Sequence, residues 1–241
     1  MSETSQLGLP MLQPAQAQKH VTVNEALAKI DGLAQLVLSS ATQATPPVSA
    51  ADGTAFFVPA GGVNEWAGQD GNIAIYSNGG WVFSAPKRGW RAFILDESAS
   101  AVFDGATWNI SPMGISLNGA SSSFHVYEFD HVITAGSSTT TTVQLPQYAM
   151  VHAVTGRVKS AITGTLSAFD IGVSGATNRY GSGIGLAAGS WFRGITGQPV
   201  TYYADTPLEI TAVGGDFASG ELRLVLHYYL ATVPSVNGCG R

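Results

Sequence analysis

Residues Gly220–Val233 read GELRLVLHYYLATV. Leu222, Leu224, Leu226, Tyr228 and Leu230 share one side of an extended chain, and Arg223, Val225, His227 and Tyr229 take the other. A period of two with one leucine-lined face predicts a half-buried β-strand. The runs before it agree: FHVYEF, TTTTVQLP, MVHAVTGRVKSAITG, TLSAFDIGV, PVTYYA and PLEITAV. The β-branched Thr139–Thr142 suits a strand better than a helix. Several such strands predict a C-terminal β-sandwich, jelly-roll-like, over residues 118–234.

Residues 53–112 carry the same signature on a smaller scale. TAFFVP, GNIAIYS, GWVFSAP, RAFILD, SAVFDG and TWNI are separated by Gly61-Gly62, Asp70-Gly71, Asn78-Gly79-Gly80 and Asp104-Gly105. These short turn signals predict a small antiparallel β module. Four of the five tryptophans lie here: Trp66, Trp81, Trp90 and Trp108. Core packing accounts for them by general burial tendency; sugar stacking is the functional alternative.

Only one stretch reads as a helix, TVNEALAKIDGLAQLVL, residues 22–38, placing the helix within 22–40. Val23, Leu27, Ile30, Ala34 and Val37 follow coiled-coil spacing over about two heptads. Thr22 and Glu25 fit a capping box at its start. Two heptads are too short to hold together alone in water. The seam therefore either packs on its own chain or joins several copies. Residues 41–52, with Pro46-Pro47, read as a linker ending the helix, and 111–120 as a second linker. Residues 1–21 read as an anchor or tether, and 235–241 as a tail.

Composition narrows the function. Charged residues make up 11% of the chain against roughly 25% in an ordinary soluble domain, and the 29 glycines sit mainly in turns. No segment has the apolar length of a membrane helix, so membrane insertion is not expected. The net charge of −5 and the absence of a basic run argue against nucleic acid as a partner. No secretory signal is recognisable, so synthesis is expected to end in the host cytoplasm. The single cysteine, Cys239, offers neither an intrachain disulfide nor a thiol metal site.

Motifs for chemistry are weak. Tyr180-Gly-Ser-Gly-Ile-Gly185 has Leu186 where a dinucleotide loop needs glycine, and it reads as a Gly-rich loop with tight turns. Asp170, Asp205, Glu209, Asp216 and Glu221 are scattered, and sequence spacing cannot pair them as a glycosidase requires. His20, His125, His131, His152 and His227 form no close ligand pair. No catalytic residue, metal or cofactor is expected.

Other residues carry a family resemblance. Leu9-Pro10-Met11-Leu12, Ala15-Gln16-Ala17-Gln18-Lys19-His20-Val21-Thr22 and Asn24-Glu25-Ala26-Leu27 form the opening. Trp66-Ala67-Gly68, Gly80-Trp81, Gly89-Trp90, Phe103-Asp104-Gly105 and Trp108 follow. Over about residues 7–110 the chain resembles a domain-of-unknown-function family. That family occurs in fibre and spike proteins of tailed phages, prophages and alphaproteobacterial gene transfer agents. The C-terminal part resembles, more loosely, β domains at the tips of such fibres.

The resemblance implies a non-enzymatic virion protein, a fibre or head-spike subunit mediating host adsorption. It implies a homo-oligomer, a trimer favoured, held at Val23, Leu27, Ile30, Ala34 and Val37. Other virion subunits would dock on the N-terminal region, and a cell-surface polysaccharide on the C-terminal one. Trp191, Tyr180, Tyr202 and Tyr203 are the candidate stacking residues, with Arg179 and Arg193 as planar donors for a neutral or acidic glycan. The alternatives are a depolymerase of the same particle and a purely structural connector.

Overall fold

A computed structural model describes residues 3–12 and 19–234. The expected tail 235–241 with Cys239, and residues 13–18 of the expected tether, lie outside the described residues. Among the described residues the protein is mainly β, with a single α-helix near the N-terminus. It divides into two compact units, with the boundary between Gly119 and Ala120.

The first unit opens on α1, Lys19–Ala34. The helix starts before Thr22, so Thr22 and Glu25 lie inside it and are not its capping box. It also stops short of Val37. Leu36 and Leu38 are buried and Val37 half-buried, the alternation of a strand, and Val37–Leu38 form β1. The step from Ala34 to Val37 mimics a heptad because three residues also fit a short turn into a strand. Val37 is thus removed from the expected seam.

Six hairpin-forming strands follow: β2 Ala55–Phe57, β3 Ile73–Ser77, β4 Gly80–Ser84, β5 Arg91–Ile94, β6 Ala99–Phe103 and β7 Trp108–Ile110. β2–β3–β4 make one antiparallel sheet. β5–β6–β7 make a second, to which β1 adds in parallel beside β5. The pairs among β2–β7 are all antiparallel, and the one parallel pair is made by β1, which lies before residues 53–112. Leu38, Phe57, Ile73, Ile75, Ile94, Phe103 and Trp108 from both sheets form a common core. Phe56, Val58, Trp66 and Ala74 make a smaller core on the other side of β2–β3–β4. Burial on both faces explains why AFF in β2 lacks alternation. Trp66 and Trp108 are core residues.

Segment 41–52 is not a boundary between domains. The Phe57 amide donates to the Ser40 carbonyl and the Val63 amide to that of Ala44, so this part of the chain is stitched into the first unit. Residues 3–12 are likewise folded rather than a tether. The Leu12 amide donates to Asn24 Oδ1, and Asn24 Nδ2 returns a bond to the Leu12 carbonyl. A short strand, β8 Pro112–Ile115, lies within the expected second linker.

The second unit, Ala120–Val233, holds eight long strands. They are β9 Ser121–Val132, β10 Ser138–Leu145, β11 Met150–Gly164, β12 Ala168–Val173, β13 Ala176–Ile184, β14 Trp191–Thr201, β15 Thr206–Val213 and β16 Phe217–Ala231. Within the unit, one antiparallel sheet runs β14–β11–β16–β9 and the other β10–β15–β12–β13. Leu222, Leu224 and Leu226 of β16 meet Phe169, Ile171, Leu208 and Ile210 of the other sheet in one core. Burying each such side chain contributes about 1.5–3 kcal/mol. The unit's ends are tied together: the Ser121 amide donates to Thr232 Oγ1 at 2.8 Å, and the Thr232 amide to the Ser121 carbonyl at 2.9 Å.

The expected Gly-rich loop at Tyr180–Gly185 lies mostly in strand β13. Its physical reason is close packing. A Cβ added to Gly194 would sit 2.0 Å from the Tyr180 carbonyl oxygen. The missing side chain at Gly194 lets β13 and β14 approach.

Candidate functional site

The outward face of β14–β11–β16–β9 carries most of the polar chemistry of the second unit. Strand register builds it in rows. Trp191 on β14 stands beside Arg157 on β11, then Arg223 on β16, then Asp130 on β9. The next row runs Arg193, Thr155, Val225, Glu128. All of these except Asp130, together with Lys159 and His227, line an open depression of about 620 Å³.

At the β9 side the charges are paired. Arg223 Nε and Nη2 donate to the two oxygens of Asp130 at 2.7 and 2.9 Å. Lys159 bridges Asp130 and Glu221, each at 2.8 Å. The donors Arg223 and Lys159 hold the Asp130 carboxyl well below the usual carboxylate range. Asp130 in turn raises both basic groups. The bidentate pair also relieves the repulsion that Arg157 and Arg223, directly opposite each other, would otherwise suffer.

At the β14 side the cations have no carboxylate partner among the described residues. Arg157 Nη1 donates to the Gly189 carbonyl at 3.0 Å, and the Arg193 guanidinium carbon lies 5.6 Å from the centroid of the Trp191 ring. Trp191 is 60% exposed. A broad aromatic surface thus stands beside two guanidiniums, of which Arg157 spends one donor on Gly189 and keeps the others for a further acceptor. Cation–π contact at such an exposed site is worth roughly 0.5–1 kcal/mol, enough to orient Arg193. Thr155 Oγ1 and His227 Nε2 are 3.1 Å apart in the floor, and burial depresses the His227 pKa.

Of the six candidates, Trp191 and Arg193 are brought together here. Tyr180 is corrected: it is 1% exposed and belongs to the core. Its hydroxyl lies 2.8 Å from that of Tyr202, and burial pushes the Tyr180 pKa up. Tyr202 is half-buried against the same core. Arg179 is exposed on β13. Tyr203 is exposed at the far end of β14, away from Trp191. Sequence reading missed Arg157, which neighbours Trp191 only through strand pairing. The face alternation of β11 was the signal that could have placed it.

On α1, the expected seam residues Val23 and Ile30 are 40% and 52% exposed, Ala34 is exposed and Leu27 half-buried. The opposite side packs on the sheet, where a Cβ at Gly32 would sit 2.7 Å from Ile75 Cδ1.

Residues 23–109 match the model of a family described as "Protein of unknown function (DUF2793)". The match falls in the first unit and ends before the unit that carries the depression. No curated protein matches the chain. Among solved structures, a chain of the "Cyanophage Pam1 capsid asymmetric unit" is similar. It has 25% sequence identity and a TM-score of 0.35, covering 51% of this chain and 93% of that one. A likeness of this strength fixes neither fold nor function.

Proposed function

We propose that the protein is a non-enzymatic subunit of a phage or phage-like particle that adsorbs to cells by binding a surface polysaccharide. The observation carrying this reading is the exposed Trp191 beside Arg157 and Arg193. Aromatic faces stack on the apolar faces of sugar rings, and guanidiniums bind hydroxyls and carboxylates through planar, paired donors. The match of residues 23–109 to a family of unknown function falls on the stretch that carries the resemblance, and the fibre or spike role is taken from that resemblance alone. The strand orders β9–β16–β11–β14 and β10–β15–β12–β13, with successive strands repeatedly changing sheet, favour a jelly roll for the second unit. Exposed Val23, Ile30 and Ala34, with half-buried Leu27 between them, favour self-association, a trimer first. Repetition would then multiply weak saccharide contacts by avidity.

The test is binding of the purified full chain to an array of bacterial surface polysaccharides. The wild type should bind at least one, and Trp191→Ala and Arg193→Gln should weaken that binding. Release of shortened saccharide would replace the reading with a depolymerase. No binding to any polysaccharide would leave a structural connector.

A further inference from the structure

Two exposed tyrosines stand at the opposite end of the β11–β14 ribbon from Trp191. Tyr148, in the turn before β11, is 60% exposed, and Tyr203, just after β14, is 76% exposed. Their ring centroids are 6.4 Å apart and the planes meet at 81°, forming a corner. The corner is braced. Gln147 donates its side-chain amide to the Tyr203 carbonyl and its backbone amide to Asp205 Oδ1, each at 2.8 Å. The Tyr148 amide donates to the Tyr202 carbonyl at 2.6 Å.

The backbone at Tyr148 is the unusual feature. The Ala149 amide bonds the Pro146 carbonyl, closing a turn with Tyr148 at its third position, and φ there is 64°. That position ordinarily takes Gly or Asn. The other non-glycine residues with positive φ are Asn64, Asn78, Ser98 and Ser111, so among the described residues Tyr148 is the only bulky one. A strained backbone holding a ring out into solvent does little for packing. Strain of this kind concentrates at binding sites.

We infer that Tyr148 and Tyr203 form a second saccharide site, which takes a neutral sugar ring against the two faces of the corner. Among the described residues no cation stacks on either ring, and the polar groups at hand are the tyrosine hydroxyls, Gln147 and Asp205. These suit sugar hydroxyls rather than a carboxylate. The inference rests on the saccharide-binding reading but not on the Trp191 face. From Tyr148 to Thr155 the strand spans roughly 20–25 Å. A polysaccharide, unlike a single sugar, can reach both places at once.

Affinity electrophoresis of the full chain tests this, with neutral galactomannan or dextran, or acidic polygalacturonate, dissolved in the gel. A neutral polymer should retard the wild type. Tyr203→Ala and Tyr148→Gly should each lose about tenfold in affinity for it. Tyr148→Gly should at the same time melt at a higher temperature, which separates loss of binding from loss of fold. Trp191→Ala should keep most of the neutral-polymer retardation. Unchanged retardation of both tyrosine variants overturns the inference, as does a lower melting temperature for Tyr148→Gly. Retardation by polygalacturonate alone, abolished by Trp191→Ala, overturns it while leaving the adsorption reading intact. Failure of both neutral polymers to retard the wild type overturns it as well.

Discussion

Thr4 donates its hydroxyl to the Asp31 carboxylate across 2.7 Å, at the last turn of α1. A carboxylate at the negative end of a helix is unfavourable by itself. Here it also accepts the amides of Gln6 at 3.0 Å and Leu7 at 2.6 Å, and it is 3% exposed. The Asp31 side chain therefore clasps residues 4–7 to the helix, as Asn24 does Leu12.

Asp31→Ala is expected to open this clasp. It would leave two amides and a hydroxyl without their acceptor, at about 1–3 kcal/mol for a buried group. Hydrogen exchange should show faster exchange at Gln6 and Leu7 with little change in the second unit. Unchanged exchange there would remove Asp31 from this role.

The two units should respond to acid in different ranges. Burial pushes the Asp31 and Asp104 carboxyls up, but hydrogen bonds outweigh it, from Leu7 and Thr4 to Asp31 and from Thr107 and Ala106 to Asp104. Both pKa values end below the ordinary 3.8. Their contribution is complete above that value and is lost as pH falls through the depressed folded-state values. In the second unit, burial lowers His125, His131 and His227 from the ordinary 6.5. Their contribution is complete above 6.5 and declines below it, as the unfolded chain takes up protons first. Exchange-monitored stability between pH 7 and 3 should therefore weaken the second unit first.

Gly194→Ala is expected to destabilise the second unit by roughly 1–3 kcal/mol or more, since the added Cβ would meet backbone rather than a movable side chain. Thermal unfolding of the full chain, with hydrogen exchange at the β13 and β14 amides assigning the transition, reads this unit. A melting temperature equal to the wild type would mean the strands can separate without cost.

Light scattering tests the helix. Leu27→Asp with Ile30→Asp should reduce a multimer to one chain while leaving the fold intact, because Ile30 faces solvent and Leu27 is half-buried in the single chain. A mass that does not fall would place the assembly contact on the β units.

Strands with a two-residue period were legible in the sequence, and MVHAVTGRVKSAITG coincides with β11 from Met150 to Gly164. What misled was local chemistry with two uses. Glycine signals a turn, but in Gly181 and Gly194 it allows close approach within strands. The three-residue step to Val37 fits a heptad as well as a new strand. The lead before α1 read as a tether because Asp31 and Asn24, which hold it, lie 12 or more residues away and show no local pattern. The candidate site was half legible. Exposed Trp191 and Arg193 share a strand face, whereas Arg157 and Tyr148 depend on which strands and turns become neighbours.

The bond pair between Ser121 and Thr232 brings the entrance and exit of the second unit to one point. A unit whose ends meet can be cut out or exchanged at a single junction without threading any strand through its partners. The second unit can then be replaced wholesale, as a cassette, while the sequence of the first unit stays as it is.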